Sequence, residues 1–158
     1  MRFARRISVL ALLAAAGLVL FAPAASAADF GVRAGLYGGD GMIGVELLTP
    51  INDDWWFNPN VEYVFVDGGD LITVNGDAHY DFDTDGNYYL WAGGGLAVIF
   101  SDLDRPRPGR GSDSETDLGL NLLAGAGWNT GGALRPYVQG KVTISDDTEA
   151  GLAVGVRF

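Results

Sequence analysis

From residue 30 onward the chain alternates, apolar at one residue and polar or glycine at the next, in short runs broken by Gly, Asp and Asn clusters. A period of two is that of an extended strand with one apolar face, and no helical period competes with it. Eight such segments can be drawn: 30–37, 42–48, about 56–66, about 71–82, 88–100, 118–128, about 135–144 and 149–158. The breaks between them are short except one, a polar stretch over 101–117. Several segments approach the roughly 9–11 residues that a tilted strand needs to cross a bilayer, and the first two are shorter. An even count of antiparallel strands closes into a barrel and leaves no edges.

One face of these segments is free of charge. It carries Phe30, Val32, Ala34 and Leu36, then Ile43, Val45 and Leu47, and it continues through Val61, Val74, Leu120, Leu122, Val142 and Val154. The opposite parity carries Arg33, Glu46, Asn58, Asn60, Glu62, Thr73, Asn75, Asp77, His79, Asn121, Gln139, Lys141, Thr143 and Arg157, with glycines between them. Alternation alone does not say which face points inward. Two features decide it. The interior of an eight-stranded barrel is only just wide enough for side chains to fill, so glycine with paired polar residues fits it, whereas a ring of Phe, Leu and Trp would crowd it. Phe30, Trp56, Phe57, Phe82, Tyr88, Trp128 and Phe158 also fall at one end of the strands, as an interfacial aromatic girdle does. The apolar face therefore faces lipid, where Lys or Arg at the midplane would cost about 2–4 kcal/mol. Tyr89 and Trp91 leave the fifth segment apolar on both faces, and Pro59 within the third marks an expected bulge.

The N-terminal stretch stands apart. Arg2, Arg5 and Arg6 precede an apolar run over 7–21, and Ala25-Ser26-Ala27 supplies a small-residue cleavage site, so residues 1–27 read as a secretory signal peptide and 28–158 as the barrel domain. Removing 27 of the 158 residues leaves 131, with 7 Lys and Arg against 20 Asp and Glu and a formal charge of −13. That charge argues against nucleic acid, whose phosphates need a basic surface. The absence of cysteine removes disulfides, thiolate chemistry and a lipoprotein anchor.

The closing segment, Glu149-Ala-Gly-Leu-Ala-Val-Gly-Val-Arg-Phe158, resembles the C-terminal strand of outer-membrane proteins, with Leu152, Val154 and Val156 at alternate positions before a terminal Phe158. Arg135-Pro136-Tyr137-Val138 and Gly93-Gly94-Gly95-Leu96 are similar to segments of small OmpA/OmpX-type barrels. The resemblance implies an eight-stranded outer-membrane barrel whose last strand is read by the barrel-assembly machinery. The family commonly has several long external loops, where this chain has one.

Four groups of residues invite a chemical role. Turning the first hairpin about Gly39-Asp40 sets Arg33 opposite Glu46, and the second hairpin sets Glu62 opposite Asn75 with Asp77 diagonal to it. Arg33, Glu46, Glu62, Asp77, His79, Lys141 and Arg157 thus read as a lumen charge network, a structural plug in preference to a pore lining. His79, the only histidine, would need a nucleophile in reach to act as a base; Ser101, Ser112, Ser114 and Ser145 all fall at the other end of the strands, and His79-Tyr80-Asp81 lacks the His-x-Ser of lipid A deacylases. Asp81, Asp83 and Asp85 with Gly86 form the front half of a calcium loop, but its twelfth position is Ala92, so an acidic turn is the better reading. In the long polar stretch, Arg105, Arg107 and Arg110 offer contacts to anionic lipopolysaccharide or a protein.

The fold class is therefore all-β, an eight-stranded antiparallel up-and-down transmembrane β-barrel after a cleaved signal peptide. The functional reading is a monomeric structural or interaction protein of the outer membrane, without cofactor or catalysis, surrounded by lipid and lipopolysaccharide. The alternatives are a narrow ion channel and a soluble periplasmic lipocalin-like binder with the alternation inverted; an enzyme is the weakest.

Overall fold

The computed structural model describes residues 28–158 except 68, 83, 85 and 104–112, and describes 102, 103, 113 and 114 by their backbone alone. The signal-peptide stretch thus lies outside the described residues, as do Asp83, Asp85, Arg105, Arg107, Arg110 and Ser112. The eight strands are β1 Asp29–Tyr37, β2 Asp40–Pro50, β3 Trp55–Val64, β4 Gly69–Phe82, β5 Tyr88–Leu103, β6 Asp113–Trp128, β7 Arg135–Ile144 and β8 Glu149–Arg157. Each pairs antiparallel with its neighbour in sequence, and β8 pairs back onto β1, so the sheet is closed. Both termini lie at one end, here the terminal end, with the β2–β3, β4–β5 and β6–β7 turns. The other four connections form the loop end.

The alternation sets the wall. Ile43, Leu122, Leu152 and Val154 are more than half exposed on the outer surface, whereas every one of the fourteen polar residues of the opposite parity is buried. A lipocalin-like inversion would need the reverse. The fifth segment resolves the same way: Trp91, Ala97 and Ile99 are buried inside, and Leu90 and Leu96 are exposed outside. At the terminal end Phe30, Trp55, Phe82, Tyr88, Trp128 and Phe158 are all exposed, and the Phe30 and Phe158 rings meet across the β1–β8 seam at 5.4 Å. Trp56 departs from the expected girdle. It is paired opposite His79 on the lumen parity, and Trp55 takes the outer position against Tyr80.

Four sequence expectations need correction. The β1–β2 hairpin turns on Gly38-Gly39, whose φ values of +60° and +99° fit a two-residue type I′ turn. Tyr37 therefore pairs with Asp40 and Arg33 with Gly44, two residues from the expected register, while Glu46 faces Gly31. In the β3–β4 hairpin Glu62 faces Thr73, and Asn75 faces Asn60, a slip of two again. Pro59 causes no bulge: β2 and β3 keep one register on both sides of it, from Glu46↔Asn60 to Thr49↔Phe57. The pairing lapses between those points, where proline has no N–H to give, and the Asn58 side-chain amide instead donates to the Leu47 carbonyl at 2.8 Å. Lastly, much of the polar stretch over 101–117 is paired strand, through Ser101↔Glu115 and Leu103↔Asp113. Strands that have left the hydrocarbon need no apolar face, so the apolar pattern stops before the pairing does.

Candidate functional site: a filled lumen

The lumen has three layers. At the loop end Tyr37, Met42, Val64 and Ala153 form a buried apolar cluster, with Val66 and Leu71 packed against it. At the terminal end Trp91 and Tyr137 are buried with Leu123, and Tyr89 stacks on Trp91 at 5.4 Å. Most of the charges lie between, and Arg157 enters from the terminal side of Tyr137.

Glycine makes room for the aromatic layer. Trp91, Tyr89 and Tyr137 lie across the facing Gly125, Gly127 and Gly155, so close that an added Cβ would sit 2.2, 2.2 and 2.4 Å from their ring atoms. The ring takes the space a side chain would have occupied. Arg157, at the end of β8 and buried in the lumen, has its guanidinium 4.9 Å from the Trp91 ring and 4.5 Å from the Tyr137 ring.

The middle layer pairs every enclosed cation with a carboxylate. Arg33 bridges Glu46 at 3.6 Å and Glu62 at 3.1 Å, Lys141 reaches Glu62, and the Arg157 Nε donates to Glu46 at 2.9 Å. Arg33 and Glu46 thus meet diagonally across the hairpin, since their long side chains span the two-residue offset. Asp77 has no ion pair among the described residues. The amides of Asn60 and Asn121 donate to its two oxygens at 2.9 and 2.8 Å. Asn121 also donates to Asn75 and accepts from Thr143, Asn75 donates to Asn60, and Asn58 donates to Glu46. A continuous chain of hydrogen bonds therefore crosses the lumen from β7 to β2. Arg33, Lys141 and Arg157 balance Glu46, Glu62 and Asp77 in number.

His79 is buried beside Trp91, 5.8 Å between ring centroids, with its Nε2 3.4 Å from Asp81. Ser101 and Ser145 lie at the loop end, the length of the barrel away, so the described residues bring no hydroxyl nucleophile to it. Of the calcium candidates only Asp81 is described. The C-terminal residues Leu152, Val154 and Phe158 are exposed on the outer wall, and Val156 is half-buried there. The sequence left Trp91 open and missed the rest of the apolar content of the lumen: Tyr37, Met42, Val64, Ile99, Leu123 and Tyr137 share the polar parity, and their only signal is an interruption of the alternation.

No family model matches the chain, and no curated protein sequence matches it. Solved structures do. The N-terminal β-barrel domain of Pseudomonas aeruginosa OprF superposes with a TM-score of 0.67 at 16% identity, over 83% of this chain and 96% of that one. Neisserial surface protein A matches with a TM-score of 0.61 at 18% identity, over 82% and 92%. Ail, the attachment invasion locus protein of Yersinia pestis, matches with a TM-score of 0.58 at 17% identity, over 83% and 96%, and has also been solved with the heparin analogue sucrose octasulfate. With a closed eight-stranded sheet, an apolar outer wall and a polar lumen, this chain has the fold of the small outer-membrane β-barrels.

Proposed function

We propose that the protein is an exported barrel of a bacterial outer membrane, non-catalytic and non-conducting, whose lumen is a plug made of its own side chains. In this reading residues 1–27 direct export, the apolar wall is solvated by acyl chains, and the strand ending at Phe158 is what the assembly machinery engages. The observation that carries it is the layered lumen: a charge-balanced, hydrogen-bonded middle between two apolar clusters. Water and ions entering from either end meet an apolar constriction first, and such constrictions block by dewetting. The plug reading also accounts for the buried charges, which are tolerated away from water only when paired and hydrogen-bonded.

The test is fractionation followed by gel migration. The expected result is retention in the outer membrane until detergent is added, with a folded band that shifts on boiling. Release by osmotic shock alone would remove the membrane assignment and leave the barrel without its solvent.

A further inference from the structure

The terminal mouth of the lumen holds two side chains that the plug does not use. His79 and Asp81 stand two residues apart on β4, so both take the lumen face. His79 is 1% exposed, yet neither of its ring nitrogens has a hydrogen-bond partner among the described residues, and Asp81 Oδ1 has none either. Buried polar atoms are ordinarily satisfied, because each gives up its hydration on burial. Here three are bare in one place. The Asp81 side chain is 27% exposed, so the pair can be reached from water at the mouth.

The spacing distinguishes a shared proton from a metal ion. Nε2 of His79 and Oδ1 of Asp81 are 3.4 Å apart. A proton between imidazole and carboxylate makes a charge-assisted bond, which draws N and O to about 2.7–2.9 Å. A metal ion needs more room. Zn–N and Zn–O bonds of about 2.0–2.2 Å at a tetrahedral angle set the two ligand atoms about 3.3 Å apart.

The surroundings favour a cation. Asp53 and Asp54 are exposed on the adjoining β2–β3 turn, and the Asp54 carbonyl accepts from the Asp81 N–H at 2.9 Å. The cations described at this end are engaged, Arg135 by Asp29 and Arg157 by Glu46. No third acidic or imidazole ligand joins the pair among the described residues, so water must fill the other positions.

We propose that His79 Nε2 and Asp81 Oδ1 bind one divalent transition-metal ion of the zinc class at the terminal mouth. Imidazole with a carboxylate selects such an ion over calcium or magnesium, which take oxygen ligands.

The experiment uses the protein purified from membranes in an uncharged detergent, without an affinity tag, so that His79 is the only imidazole present. Calorimetric titration with zinc chloride is expected to show one saturable site. Binding is expected to weaken roughly tenfold or more in His79→Gln and in Asp81→Asn, and to resist a roughly tenfold excess of calcium. Heat-modifiable migration certifies that the barrel of each variant forms. X-ray absorption at the zinc edge of the loaded wild type needs no variant, and one imidazole in a shell otherwise of oxygen is expected. An all-oxygen shell, binding unchanged in His79→Gln, or displacement by calcium would assign the ion to the rim carboxylates and overturn the proposal. So would absence of saturable binding.

Discussion

Gly125 lies flat beneath the Trp91 ring, and nothing larger fits there. A Cβ at that position would sit 2.2 Å from a ring carbon, with Trp91 itself fully enclosed. Gly125→Ala therefore forces the indole out of place, an overpacking cost of about 1–3 kcal/mol. Denaturant titration of the folded gel band is expected to show the loss, while Gly140→Ala, whose Cβ would meet nothing nearer than 4.0 Å, leaves the midpoint unchanged. The ion pairs make a sharper case. Glu62 is the carboxylate shared by Arg33 and Lys141, so Glu62→Gln strands the enclosed Lys141 and leaves Arg33 with Glu46 alone. Removing one partner of a buried pair costs about 3–5 kcal/mol, whereas replacing the pair by apolar groups is often nearly neutral. The double variant Glu62→Leu/Lys141→Met is therefore expected to unfold at higher denaturant than Glu62→Gln alone, and the reverse order would mean these charges are solvated. The charged lumen residues were legible in the sequence because a charge on the lipid face is prohibitive, which fixes their parity. Val64 and Tyr137 were not, because an apolar side chain is acceptable on either face.

Strand pairing obeys two separate determinants. The apolar alternation sets which face a residue occupies, and it is blind to a slip of two, because such a slip returns every side chain to the same face. The turn sets the register itself. In the β1–β2 hairpin the choice lay between Gly39-Asp40 and Gly38-Gly39, and only the second places glycine at both left-handed positions of a two-residue turn. Parity was therefore readable from the chain, whereas the partners of Arg33 and Glu62 were not. The absence of native cysteine allows a direct check. Val32 pairs with Val45, and the slipped register would pair it with Leu47. A Val32→Cys/Val45→Cys protein is expected to form its cross-link readily under mild oxidation, and Val32→Cys/Leu47→Cys to form it poorly, since a disulfide demands closely facing Cβ atoms. The long polar stretch was misread for a related reason. Ser114, Glu115, Thr116 and Asp117 have no apolar face because they lie beyond the hydrocarbon, yet their backbone still pairs with β5.

Across the whole molecule, charge is sorted by depth. Among the described residues three cations and three carboxylates balance one another inside, the outer wall has none, and the remaining acidity lies at the two rims. An enclosed neutral layer has no net field to attract an ion of either sign, and it lies behind apolar clusters at both ends. These clusters act in series, so opening one leaves the other closed. Val64 is fully enclosed at the loop end and Trp91 nearly so at the terminal end, which makes them the residues to remove. In planar bilayers the wild-type barrel is expected to be silent, and so are Val64→Ser and Trp91→Ala taken singly. The combined variant admits water from both sides to Arg33 and Asp77, and small, steady conductance steps are expected from it. Unitary steps from the wild type would mean that the lumen conducts as built. Steps from either single variant would mean that one apolar layer, not two, holds the barrel shut.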